Sequence, residues 1–183
     1  YIFLLFCFFL LLTAFVLFAV VCIVPLVSVL LFYLDPLIRK NKRPTERPES
    51  GAEGFVKVAN LESLPSDGTP QRFTVYDDKQ DAWNFFPNQQ VGTVWLLKNE
   101  EGVIECFNTR CPHLGCTVDY KSTEKSFFCP CHTSSFDLHG KKLNAIPPRG
   151  MDTLDVKVDD KSGAILVRYQ NFRATTPEKI PVG

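Results

Sequence analysis

Two short segments carry the side chains that could do chemistry. The first reads Cys111-Pro-His113-Leu-Gly-Cys116 and the second Cys129-Pro-Cys131-His132-Thr-Ser134-Ser-Phe136. Together they hold most of the chain's seven cysteines and all but one of its three histidines. Thiolate and imidazole ligands suit zinc or an iron–sulfur centre, and these segments offer more ligands than either needs. Cys131 and His132 are adjacent, and Cys129 and Cys131 are too close for both sulfurs to reach one metal easily. Some of the cysteines therefore have another task. One solution takes Cys111 and His113 from the first segment with Cys129 and His132 from the second. Cys116 and Cys131 are then left over, one per segment, and can pair as a disulfide.

The remaining candidates read as structural. Cys7 and Cys22 lie in an apolar stretch, where thiols behave as small apolar groups. Cys106 alternates with Ile104 in a strand pattern and is expected to be a buried thiol. His139 falls in Asp137-Leu-His139-Gly140 and is read as a solvated turn residue.

Residues 117–128 separate the two segments, enough for a strand, a turn at 121–125 and a return strand. Each segment then sits on a loop at the same end of the domain, facing the other. Residues 55–58, 72–76, 91–97 and 103–107 are rich in β-branched and aromatic side chains and read as strands. Residues 153–158 alternate Leu154, Val156 and Val158 against polar partners. A turn at 159–163 returns the chain into 164–169. No helical period appears after residue 54, so residues 54–183 are expected to form a mainly β head, a small antiparallel sandwich or barrel. The tail from Asn171 is expected on the surface.

Residues 1–34 contain no charged side chain and are almost wholly Phe, Leu, Val, Ile and Ala. A membrane-spanning helix needs roughly 20 apolar residues, so this stretch is read as one transmembrane anchor, kinked at Pro25 and ended by Asp35-Pro36. Residues 35–53, charged and rich in Pro, are read as a hinge linker. The chain opens on Tyr1, and further residues are expected upstream. Formal net charge is +0, which gives no electrostatic reason to expect a nucleic-acid partner.

The paired segments strongly resemble the Rieske iron–sulfur family, in its quinol-oxidising cytochrome bc type. That type carries C-T-H-L-G-C and C-P-C-H-G-S-x-Y/F. The resemblance extends to the anchor, the linker, the β head and a later proline loop, Ala145-Ile-Pro147-Pro148-Arg-Gly150. It implies a [2Fe–2S] cluster with Cys111 and Cys129 on one iron and His113 and His132 on the other, and a disulfide between Cys116 and Cys131. Leu114 would cap the cluster against water, Pro147 and Pro148 would shield it, and Ser134 would donate to a cluster sulfur. Phe136 stands where high-potential members have tyrosine, so one such donor is lost. Thr133 replaces a glycine. A β-branched residue does not easily take positive φ, so this turn is expected to be conventional or slightly rearranged.

The same resemblance implies the electron-transfer subunit of a quinol–cytochrome c oxidoreductase. Its partners would be a cytochrome b-type membrane subunit, a c-type cytochrome acceptor, quinol bound through His132, and the lipid membrane, within a dimeric multi-subunit complex. An alternative is the Rieske small subunit of a periplasmic oxidase such as arsenite oxidase, whose C-P-C-H-x-S-x-F-D pattern Phe136-Asp137 matches. The anchor and linker favour the first. Ferredoxin components of ring dioxygenases are soluble and generally lack the Cys116/Cys131 pair. Arg39, Lys40, Lys42 and Arg43 after the span would by themselves argue for a cytoplasmic head. The implied disulfide argues for an oxidising compartment, hence a single-pass protein of a bacterial inner membrane with its head on the periplasmic side. A twin-arginine signal would then lie upstream of Tyr1.

Overall fold

The computed structural model describes residues 1–39, 54–81, 84–99 and 101–182. The hinge expected over residues 35–53 therefore lies largely outside the described residues.

Helix α1 spans Ile2–Arg39. Its side chains are apolar on every face and exposed on every face, from Phe3 and Leu11 to Phe18 and Val29. A helix with no polar face has no water-facing side, and its backbone polar groups are satisfied internally, which suits a bilayer. Residues Ile2–Ile38 are long and apolar enough to cross once. The helix does not stop at Asp35-Pro36 as expected; it continues about one turn further. Pro36 lacks only the N–H that would reach back one turn, and near a helix end that costs a single bond.

The head is built from antiparallel strands. Strand β1 (Val56–Asn60) pairs with β9 (Ala164–Arg168), which pairs with β8 (Asp155–Asp159). A second sheet orders β2 (Gln71–Gln80), β3 (Phe85–Lys98) and β4 (Ile104–Asn108). A third orders β5 (Asp119–Lys121), β6 (Ser126–Phe128) and β7 (Ser135–Phe136). A short ribbon, β10 (Asn171–Phe172) with β11 (Pro181–Val182), closes the head.

The run Val94-Trp-Leu-Leu97 explains how the site is mounted. Successive strand side chains point to opposite faces. Val94 and Leu96 join one core with Val56, Val75, Cys106, Leu154, Ile165 and Val167. Trp95 and Leu97 join another with Phe107, Val118, Phe127, Phe136 and Met151. Register agrees, since Leu96 pairs with Cys106 and Trp95 with Phe107. A strand buried on both faces reads as a continuous apolar run. The second core also contains Cys111 and Cys129. Its aromatic rings interlock, Trp95 to Phe127 at 5.6 Å and Phe107 to Phe127 at 6.0 Å between centroids. Trp95 Nε1 donates to the Val118 carbonyl at 2.9 Å, so the buried indole keeps a partner. The β5–β7 sheet thus stands on the β3–β4 sheet through aromatic packing.

Candidate metal centre

The first loop leaves β4 through Thr109 and Arg110, and an isolated bridge between Arg110 and Thr117 closes its base. The Cys111 N–H donates to the Cys116 carbonyl at 2.7 Å, and the Gly115 N–H returns to the Cys111 carbonyl at 2.9 Å. Gly115 has φ +85°, and a Cβ there would meet Arg110 Nε at 2.9 Å. Only glycine suits that position. The second loop joins β6 to β7, and the Cys129 N–H donates to the Ser134 carbonyl at 2.8 Å.

These loops bring the expected residues together. Cys111 and Cys129 are 1% and 2% exposed, while His113 is half-buried and His132 exposed. The two imidazole rings lie 4.9 Å apart, nearly perpendicular. Thiols inside and imidazoles outside make a site whose buried end is sulfur and whose surface end is nitrogen. Beside them the structure joins Cys116 to Cys131, one residue from each loop. The Cys116, Cys129 and Cys131 sulfurs fall within 4.8 Å of one another. Two of them are bonded together, so that cluster is not a three-thiolate metal site.

Burial pushes the Cys111 thiol above its usual range. The dipoles of the His113 N–H and the Ser134 hydroxyl pull the other way, while the neighbouring Cys129 thiol adds to the rise. The Ser134 Oγ is fully buried, near enough for its dipole to favour a Cys111 thiolate, yet it makes no hydrogen bond. Buried hydroxyls are rarely left unpaired. An orphaned donor beside two buried thiols fits a group bearing sulfur acceptors, and the two-thiol, two-imidazole set fits a [2Fe–2S] centre.

Other residues take these places. Leu114 is exposed at the first loop's tip. Phe136 is fully buried in the second core. Pro147 is buried and Pro148 half-buried, and Lys142 Nζ donates to both carbonyls at 3.3 Å. His139 is exposed and sets Nδ1 3.4 Å from a Glu105 carboxylate oxygen. Cys106 is buried and free.

One expectation is corrected. Thr133 takes φ +59°, so the turn keeps the left-handed backbone that a glycine would give it. It is held there by its surroundings. The Thr133 hydroxyl donates to the His132 carbonyl at 2.7 Å, and Asn144 Nδ2 donates to the Thr133 carbonyl at 2.7 Å. The Leu143 N–H adds a bond to the Ser135 carbonyl at 2.8 Å. Asn144 was not singled out in the sequence; the only signal is a side-chain amide placed just before the prolines.

A small β head presenting two imidazoles over two buried thiols defines an iron–sulfur electron-transfer protein. Residues 54–165 match the family described as Rieske [2Fe-2S] domain, and the chain belongs to that family. The menaquinol:cytochrome c reductase iron-sulfur subunit of Geobacillus thermodenitrificans is 30% identical over 139 residues, covering 74% of this chain and 75% of that protein. Its counterpart in Bacillus subtilis (strain 168) is 29% identical over 133 residues, covering 70% and 71%. The plasma membrane Rieske protein of Synechocystis PCC 6803 is 28% identical, with a TM-score of 0.46, covering 62% of this chain and 99% of that one.

Proposed function

We propose that this chain is the Rieske subunit of a quinol–cytochrome c reductase, taking electrons from quinol at a cytochrome b-type subunit and passing them to a c-type cytochrome. The observation that carries the reading is the sidedness of the site, with imidazoles at the surface and thiols 1% and 2% exposed. The spanning helix supports it, as do relatives of nearly matching length named as menaquinol:cytochrome c reductase subunits. Those relatives are reductase rather than oxidase subunits, so the arsenite-oxidase alternative is not favoured.

In this reading Cys111 and Cys129 would hold one iron and His113 and His132 the other. When bound, the cluster supplies a one-electron couple whose potential the two neutral imidazoles raise above that of an all-cysteine cluster. The protein does the rest. The aromatic core and the Cys116–Cys131 bridge hold both loops in register. The buried Ser134 hydroxyl would donate to a sulfur of the bound cluster, which would favour the reduced form. Leu114 and the prolines restrict water. The outer ring nitrogen of the exposed His132 would accept the quinol hydroxyl's hydrogen bond, and then its proton, in the form of the ring that has given up its own N–H there. Leu143 and Ile146, both exposed in the proline segment, offer apolar surface to the quinol side. The head works outside the cytoplasm of a bacterium, where a disulfide persists, in a dimeric complex.

The test is purification of the tagged full chain from its native membrane. Recovery with a b-type haem protein and quinol-dependent reduction of cytochrome c is expected. Recovery with a molybdenum subunit, and no quinol activity, would overturn the reading.

A further inference from the structure

The match to the family ends at residue 165, yet the chain continues and folds back onto the site. The β10–β11 ribbon pairs Asn171 with Val182 and Phe172 with Pro181, and the Arg173 N–H extends it to the Ile180 carbonyl at 2.8 Å. Phe172 is buried in the core that Val94 and Leu96 join, the base core of the head, and anchors the ribbon there. Beyond it, residues 173–180 form a loop whose tip turns at Thr175, with φ +65°. That backbone is unfavourable for a β-branched residue, and such outliers persist where surrounding bonds over-determine them.

The bonds made by this tip are specific. The Thr175 N–H donates to the Pro112 carbonyl at 2.9 Å. Pro112 is fully buried and stands between Cys111 and His113. One residue on, the Thr176 carbonyl accepts from Arg149 Nη1 at 2.6 Å. Arg149 follows Pro148, and its Nε and Nη2 clamp both Asp152 carboxylate oxygens at 2.8 Å. These two side chains are 11% and 6% exposed, so the pair is a fixed, bidentate one. Lys179 Nζ donates to the Thr153 carbonyl at 2.6 Å. One short loop therefore grips the first cluster loop and the chain leaving the proline loop.

The Pro112 carbonyl and the His113 N–H belong to the same planar peptide unit. One end accepts from Thr175; the other, the N–H of a residue two positions after Cys111, favours the Cys111 thiolate. Rotating that plane would turn the N–H relative to the Cys111 thiolate it favours. Hydrogen bonds to ligand sulfurs are among the terms that set an iron–sulfur potential.

We propose that the 173–180 loop is a strap that positions the Pro112–His113 peptide, and through it sets the redox potential of the centre. The proposal rests on the reading of Cys111 and His113 as ligands. The strap's contribution is a positioning one, since Thr175 acts through its backbone N–H on the Pro112 carbonyl.

The experiment uses the full-length holoprotein in detergent. In one variant, residues 173–180 are replaced by Asn-Gly, which can turn directly between Phe172 and Pro181 and keep the ribbon. In a second, Thr175→Pro removes the donor and forbids the positive φ together, releasing the tip at unchanged length. Thr175→Gly keeps the N–H and suits positive φ, and serves as the conservative rescue. The strap predicts a lower midpoint potential in the first two variants. It also predicts cluster loss to a chelator about tenfold faster, the factor that one buried hydrogen bond carries. Thr175→Gly should behave as wild type in both. If the shortened chain does not load, Thr175→Pro decides on the same two readouts. A wild-type potential and cluster-loss rate in the donor-less variants, or a change confined to the melting temperature, would overturn the strap. A wild-type spectrum without histidine nitrogen coupling would instead remove the ligand reading beneath it.

Discussion

Thr133 and Ser134 are adjacent and carry opposite kinds of cost. Thr133 holds φ +59°, which is worth about 1–2 kcal/mol of strain for a residue with a Cβ. Thr133→Gly should therefore raise the denaturant midpoint, the gain being about 1 kcal/mol after the extra chain entropy of glycine. Asn144→Ala removes the donor that holds the Thr133 carbonyl and should lower stability by about 1 kcal/mol. An unchanged midpoint in both would show that the turn is not held as described. Ser134→Ala should split two readouts. In the apoprotein it removes a buried hydroxyl without a partner, so the fold should gain about 1 kcal/mol. In the holoprotein it removes a donor to the cluster, so the potential should fall. Phe136→Tyr should move the potential up, by about 40 mV for a hydrogen bond of about 1 kcal/mol in a one-electron couple. Potentiometry on both variants checks the signs. At this scale the sequence disclosed which residue types matter but not how they are held. Thr133 was expected to avoid positive φ because its restraint, Asn144, is distant in sequence and carries no motif. Ser134's burial depends on packing that no local pattern records.

Strands were legible where one face or both are buried. The alternation of Val94, Trp95, Leu96 and Leu97 between two cores is written in the run itself. The arms of β2 and β3 beyond that run were not, because Asp77, Asp78, Asn88, Gln89 and Gln90 show no apolar alternation. Their pairing follows from the hairpin rather than from burial. The β10–β11 ribbon was likewise unseen. Its strands are too short to show a period, and only Phe172 is buried. The loops were the most legible elements, since paired spacing of sulfur and nitrogen has few other uses. Their mutual restraint makes a prediction at this scale. The bridge closes a sequence separation of 15 residues, a span for which cross-linking contributes about 3 kcal/mol. Replacing Cys116 and Cys131 together by Ala should speed cluster loss to a chelator while the β1–β9–β8 sheet keeps its hydrogen-exchange protection. Equal loss of protection in that sheet would mean that the bridge braces the whole head.

For the whole molecule, the base core carries a pH dependence distinct from the site. Burial pushes both the Cys106 thiol and the Tyr169 phenol above their ordinary values. Both acids are thus held neutral in the folded state. Their stabilising contribution is complete below the unfolded values, about 8.5 for Cys and about 10 for Tyr, and is lost as pH climbs past them. Urea midpoints should be flat from neutral pH to about 8.5 and fall beyond it; a midpoint that holds to pH 11 would contradict this. The spanning helix and the β head were each visible in the sequence as a change of composition, from wholly apolar to ordinary, because bilayer and water select different surfaces. The central claim is that two cysteines and two histidines share a diiron centre at the end of that head. Pulsed electron paramagnetic resonance on the reduced full-length protein, with histidine labelled by nitrogen-15, tests it most directly. The account predicts hyperfine coupling to two histidine ring nitrogens, lost with the native signal in His113→Ala and His132→Ala. A paramagnetic centre without histidine coupling, or no paramagnetic centre after reconstitution with iron and sulfide, would contradict it.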